Sequence, residues 1–133
     1  MEEVIEQLRE LNQNVPVPLE LPTHDNLVEV EEILLIQLPR EYKVFQQELG
    51  DVIYGSIEPC TASDSSLHTY LPDVASQAWD LGLPRHLIAV CEHGGDYYAI
   101  DPEGEIQLWE NGALSEEIWD SIWHWAKEVW LES

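Results

Sequence analysis

The sequence predicts an α+β fold, a mostly antiparallel sheet with a three-strand meander, packed by N-terminal helices and a long C-terminal helix. Three observations lead there. Between Leu87 and Asn111 lie three short apolar runs, Leu87–Cys91, Tyr97–Ile100 and Ile106–Trp109, each too short for a helix and rich in β-branched or aromatic residues. The first half of the chain carries apolar residues at helical spacing instead. After the meander, Ser115 to about Leu131 shows a broad apolar arc when projected at about 100° per residue.

The elements follow in order. Val4, Ile5, Leu8 and Leu11, separated by glutamates, predict an amphipathic helix over residues 2–12. Three prolines between Asn12 and Pro22 predict an extended link. Thr23 or Asp25 can cap a second helix over about 26–35, where Leu27, Val30, Ile33 and Leu34 share a face. Pro39 suits the first position of a third helix, 40–49, which would bury Tyr42, Phe45 and Leu49 and end at Gly50. Residues 51–59 read as a strand bent at Gly55, 61–66 as a small polar loop, and 72–81 as a helix. In the meander, His93-Gly94-Gly95-Asp96 and Asp101-Pro102-Glu103-Gly104 supply the two turns, and Glu110-Asn111-Gly112 punctuates the end. In the final helix Ser115 is the expected cap. Ile118, Ile122, Trp125 and Val129 would form one side of its arc, with Trp119, Trp123, Ala126 and Trp130 on the other. No repeat or composition shift divides the chain, so residues 1–133 are expected to form a single domain.

Charge bounds the function. Twenty-seven acidic residues against five Lys and Arg give a net charge of −22, while a 44% hydrophobic content and six tryptophans argue that the chain folds. Such a field disfavours nucleic acid and anionic membrane surfaces and favours a basic protein partner, met by electrostatically steered association. Nothing reaches the apolar length of a membrane span, and the first residues show neither a basic nor an apolar leader region, so a cytoplasmic location is expected. Cys60 and Cys91 form no framework and read as free thiols.

Catalytic patterns are not visible. Cys91-Glu92-His93 with Asp96 offers ligand types at close spacing, but structural zinc needs four ligands and no second pair appears, so neither a metal nor another cofactor is expected. Cys91 lies inside an apolar run, where a thiol packs quietly. No carboxylate pair stands out among so many, and P-loop, GxGxxG and GxSxG patterns are lacking.

The order of short motifs carries more information. Leu38-Pro39-Arg40-Glu41-Tyr42-Lys43-Val44-Phe45 is followed by Gly50-Asp51 and Tyr54-Gly55, then Leu83-Pro84. Gly94-Gly95-Asp96-Tyr97-Tyr98, Ile100-Asp101, Gly104-Glu105-Ile106 and Trp109 complete the series. Across about residues 23–131 this resembles the SUKH superfamily, bacterial immunity proteins related to a yeast cell-wall regulator. The resemblance implies helices on one side of an antiparallel sheet and a non-enzymatic role, binding and neutralising a toxin, commonly a nuclease. A basic, nuclease-type toxin is therefore the expected partner, with monomer and weak dimer both open. The regulatory role of the eukaryotic relatives is the alternative. Charge density beside a rigid sheet makes Glu92, Asp96, Asp101, Glu103, Glu105 and Glu110 the candidate contacts. The whole apolar arc of the final helix is expected to pack on the sheet; the sharper reading adds Trp119, Trp123 and Trp130 to these contacts as partly exposed aromatic anchors.

Overall fold

The structure, a computed structural model, describes residues 1–133. Four helices come first: α1 (Glu2–Leu11), α2 (His24–Leu34), α3 (Arg40–Leu49) and α4 (Leu71–Asp80). A four-stranded antiparallel sheet follows, β1 (Ile88–His93), β2 (Asp96–Ile100), β3 (Ile106–Glu110) and β4 (Ala113–Trp119), ordered as in the sequence. The chain closes with α5 (Ile122–Trp125) and a π-helical turn, Ala126–Trp130.

Local chemistry explains most helix limits. Thr23 Oγ1 accepts from Asn26 N at 3.1 Å while Asn26 Oδ1 accepts from Thr23 N at 2.8 Å, a reciprocal capping box that starts α2. That helix ends at Leu35, a non-glycine residue in the left-handed region (φ 56°) with its side chain fully in solvent. Pro39 lies one residue earlier than expected, as the cap of α3. Glu31 ties α2 to α3, accepting from Leu38 N at 2.8 Å and pairing with Lys43 Nζ at 3.2 Å. Gly50 ends α3 where any side chain would collide with Gln46 O and Pro22 Cδ. Arg9 clamps α1 onto this corner, donating from its two terminal nitrogens to Asp51 at 2.9 and 3.2 Å and to Glu48 O at 2.8 Å.

One cluster of 33 buried apolar residues joins the helices to the sheet. Phe45 is its hub, with ring centroids 5.8 Å from Trp123, 5.8 Å from Trp130 and 6.3 Å from Trp125. Tyr98 on β2 packs against Trp119 and Trp125 from the sheet side. On the opposite face, Trp79 of α4 donates to Leu87 O at 2.8 Å, and Gly82 lies over the Trp109 ring.

Two expectations fail. Residues 51–59 form no strand: Gly55 (φ 64°) turns the backbone out of the extended region, and only Pro59 makes an isolated antiparallel bridge, to Cys91. The long C-terminal helix over 115–131 does not exist either, and the meander has a fourth strand. Asn111 (φ 54°) and Gly112 (φ 82°) both take left-handed conformations, the requirement of a tight hairpin turn. The turn folds residues 113–119 back onto β3, and the hydrogen bonds gained there outweigh the helical spacing of Leu114, Ile118 and their neighbours. Ser121, not Ser115, caps the helix that remains, accepting from His124 N at 3.1 Å. Its last turn widens, with Leu131 N donating to Ala126 O at 2.8 Å across five residues, and Trp125 and Trp130 both point inward.

Candidate functional site

The pairing register decides where the candidate acids go. Glu92, Asp96 and Glu110 lie at one end of the sheet, where the β1–β2 and β3–β4 turns meet and Asn111 N donates to Asp96 Oδ1 at 3.4 Å. Asp101, Glu103 and Glu105 lie at the other end, in the β2–β3 turn. Five residues of β2 separate the groups, about 17 Å of extended chain. The structure therefore makes two acidic ends, not one acidic patch.

Several of these carboxylates already have work inside the fold. Asp101 is buried, and its Oδ1 accepts from Glu103 N and Glu105 N, both at 3.0 Å. It holds the turn and presents little to a partner. Glu92 Oε1 accepts from Gly95 N at 2.9 Å across the other turn. Glu103 is exposed, whereas Glu105 and Glu110 are half-buried.

The tryptophan anchors need correction. Trp130 is fully buried and donates to Tyr54 O at 3.1 Å. Trp123 is 8% exposed and donates to Glu41 Oε2 at 2.6 Å. Both pack on Phe45, because the helix holding them begins after the hairpin and aims its wide arc at the core. Trp119 alone stays half-exposed, set edge-on against Tyr98 at 5.6 Å.

The feature the sequence reading missed is β4. It is the outer strand of the sheet, and residues 113–119 make no backbone hydrogen bond beyond their pairing with β3. Leu114 pairs with Trp109 and Ile118 with Gln107, so both point to the same face, where they are 41% and 54% exposed. Between the two apolar side chains come Glu116 and Glu117, both exposed. The signal that could have found this strand is Asn111-Gly112, a hairpin dipeptide when apolar residues flank it.

The interior offers little reactive chemistry. Burial pushes the Cys91 thiol up to about 12 and holds Cys60 well above the usual thiol range, so both stay protonated at neutral pH. Cys91 faces inward while Glu92 and His93 are exposed, and no three His, Cys, Asp or Glu side chains converge on one point. A cavity of about 240 Å³ opens between α3 and residues 50–61, lined by Phe45, Leu49, Ile57, Leu67 and Trp130 among others. That is below the usual range of small-molecule sites, about 300–1,000 Å³. No helix is long and apolar enough to cross a membrane.

The whole is a helix-backed antiparallel sheet with one bare acidic edge. The chain belongs to the SUKH group of families: the SUKH_5 family model, described as SMI1-KNR4 cell-wall, matches residues 1–131. Among solved structures it is similar to a protein from Pseudomonas syringae pv. tomato, at 56% identity and a TM-score of 0.97 over 100% of both chains. No curated protein matches it.

Proposed function

We propose that this chain is an immunity-type protein that neutralises a basic, nuclease-type toxin by occupying its surface, without turnover. Family membership over residues 1–131 carries the reading. The charge of −22 supports it. A nuclease must present a positive surface to hold a phosphate backbone, and an acidic chain competes for that surface and is steered toward it. The contact set is exposed Glu92 and Glu103 and half-buried Asp96, Glu105 and Glu110, with half-exposed Trp119. The cell-wall association in the family's description favours a second reading as a regulatory interaction module.

Co-expression with a basic, nuclease-type toxin sought in the adjacent reading frame tests the proposal. Cells making both proteins survive if the reading is right. Cells that survive the neighbouring protein equally well without this chain would sink it.

A further inference from the structure

The two edges of the sheet are not equivalent. At β1, Cys60 N donates to Val90 O at 2.8 Å and Pro59 bridges Cys91, so residues 59–60 cover that edge. At β4 the outward N–H and C=O groups have no backbone partner, and five of the seven residues are exposed. A bare edge of this length is a template for another strand.

Natural sheets blunt such edges with charge and bulges, and β4 has both. Glu116 and Glu117 lie mid-strand, and the register shifts opposite Leu108, where Glu117 N donates to Ser115 Oγ at 3.1 Å. These devices are selective in what they reject. A second copy pairing antiparallel about the strand centre would set Glu116 against Glu116, between two chains of net charge −22. A cationic strand meets attraction at the same place. Leu114 and Ile118 meanwhile offer apolar contact on one face, which a purely solubilising surface does not need.

We infer that β4 is a docking edge for an extended segment of a basic protein, one that alternates Lys or Arg with apolar residues and adds a fifth strand to the sheet. Backbone pairing supplies the register, Leu114 and Ile118 receive the apolar side chains on one face, and Glu117, on the other, receives the cations. This inference rests on the proposed neutralisation of a basic partner and specifies how that partner is held.

The test uses the full chain and a blocked seven-residue peptide, the length of β4, alternating lysine and valine. A second peptide has the same sequence with every other backbone nitrogen methylated, which keeps side chains and charge but cannot pair with an edge. The first peptide should bind and slow amide exchange over residues 113–119, and methylation should weaken binding by about tenfold or more. Ile118→Lys, with unchanged near-ultraviolet circular dichroism, should weaken it by a similar factor. Equal binding of the two peptides, no binding at millimolar peptide, or protection centred elsewhere would each overturn the inference. Cell survival is scored separately. A chain that protects cells yet binds both peptides alike loses the edge and keeps the immunity reading. A chain that binds as expected but does not protect loses the immunity reading alone.

Discussion

At the β1 edge, Pro59 and Cys60 pair with the strand and α3 reaches it, with Tyr42 donating to Ala89 O at 2.7 Å and Gln46 Nε2 to Cys60 O at 2.8 Å. At the β4 edge the strand is open to water, and its apolar side chains are left half in solvent. Both are outer strands of one sheet, yet one is built into the core and the other is held apart from it. A chain that needed only to fold would gain by covering both. The difference separates the part that carries stability from the part available to a partner.

Alkaline pH should break the covered edge first, and this is the largest effect expected. Tyr42, Cys60 and Cys91 all lie behind it, and burial raises all three above their ordinary values, Cys91 from about 9 to about 12. A buried thiol with a raised folded value keeps its full stabilising contribution below about pH 9. As pH rises toward 12 the unfolded thiol gives up its proton and the folded one does not, so stability falls. Urea midpoints should therefore decline steadily from pH 9 upward. A flat profile to pH 11 would show that these groups are wetter than their positions imply.

The same residue type lies on both outer strands, which permits a direct comparison. Ile88→Ala, at a side chain 2% exposed, should cost about 2–5 kcal/mol in chemical denaturation. Ile118→Ala, at a side chain 54% exposed, should cost under about 1 kcal/mol. Similar losses at both sites would mean that β4 is covered in solution. Tyr42→Phe removes the donor to Ala89 O, a cost of about 0.5–1.5 kcal/mol. A value near zero would mean that water replaces the hydroxyl there.

Salt should act least. With a net charge of −22, raising ionic strength from very low to moderate values screens self-repulsion and should lift the melting temperature by a few degrees, or about 1 kcal/mol. An unchanged melting point would show that the acids are spread too widely to matter, and would weaken the case that they draw a cationic strand to β4.

The covered region was largely legible in the sequence. Helical spacing located α1 to α4 to within two residues at either end, and the alternation of apolar runs with glycine turns located β1 to β3. These signals are local, so one sequence suffices to read them. The open region was not legible, for three physical reasons. Asn111-Gly112 looked like a stop after the meander, although two consecutive left-handed residues make a reversal that adds a strand. Leu114 and Ile118 stand four apart and fit a helix as well as a strand, and the pairing with β3 decides between them. Register also sends Glu92 and Glu103 to opposite ends of the sheet, which no spacing along the chain reveals. Trp123 and Trp130 misled for a related reason, since a wide apolar arc leaves open which of its sides meets the core.

The most direct measurement is hydrogen–deuterium exchange over residues 88–93 and 113–119, on the free chain and on its complex with the basic toxin that it is proposed to neutralise. The account predicts slow exchange at 88–93 in both states. It predicts fast exchange at 113–119 in the free chain and slow exchange there in the complex. A complex that forms while residues 113–119 exchange as fast as before would contradict it.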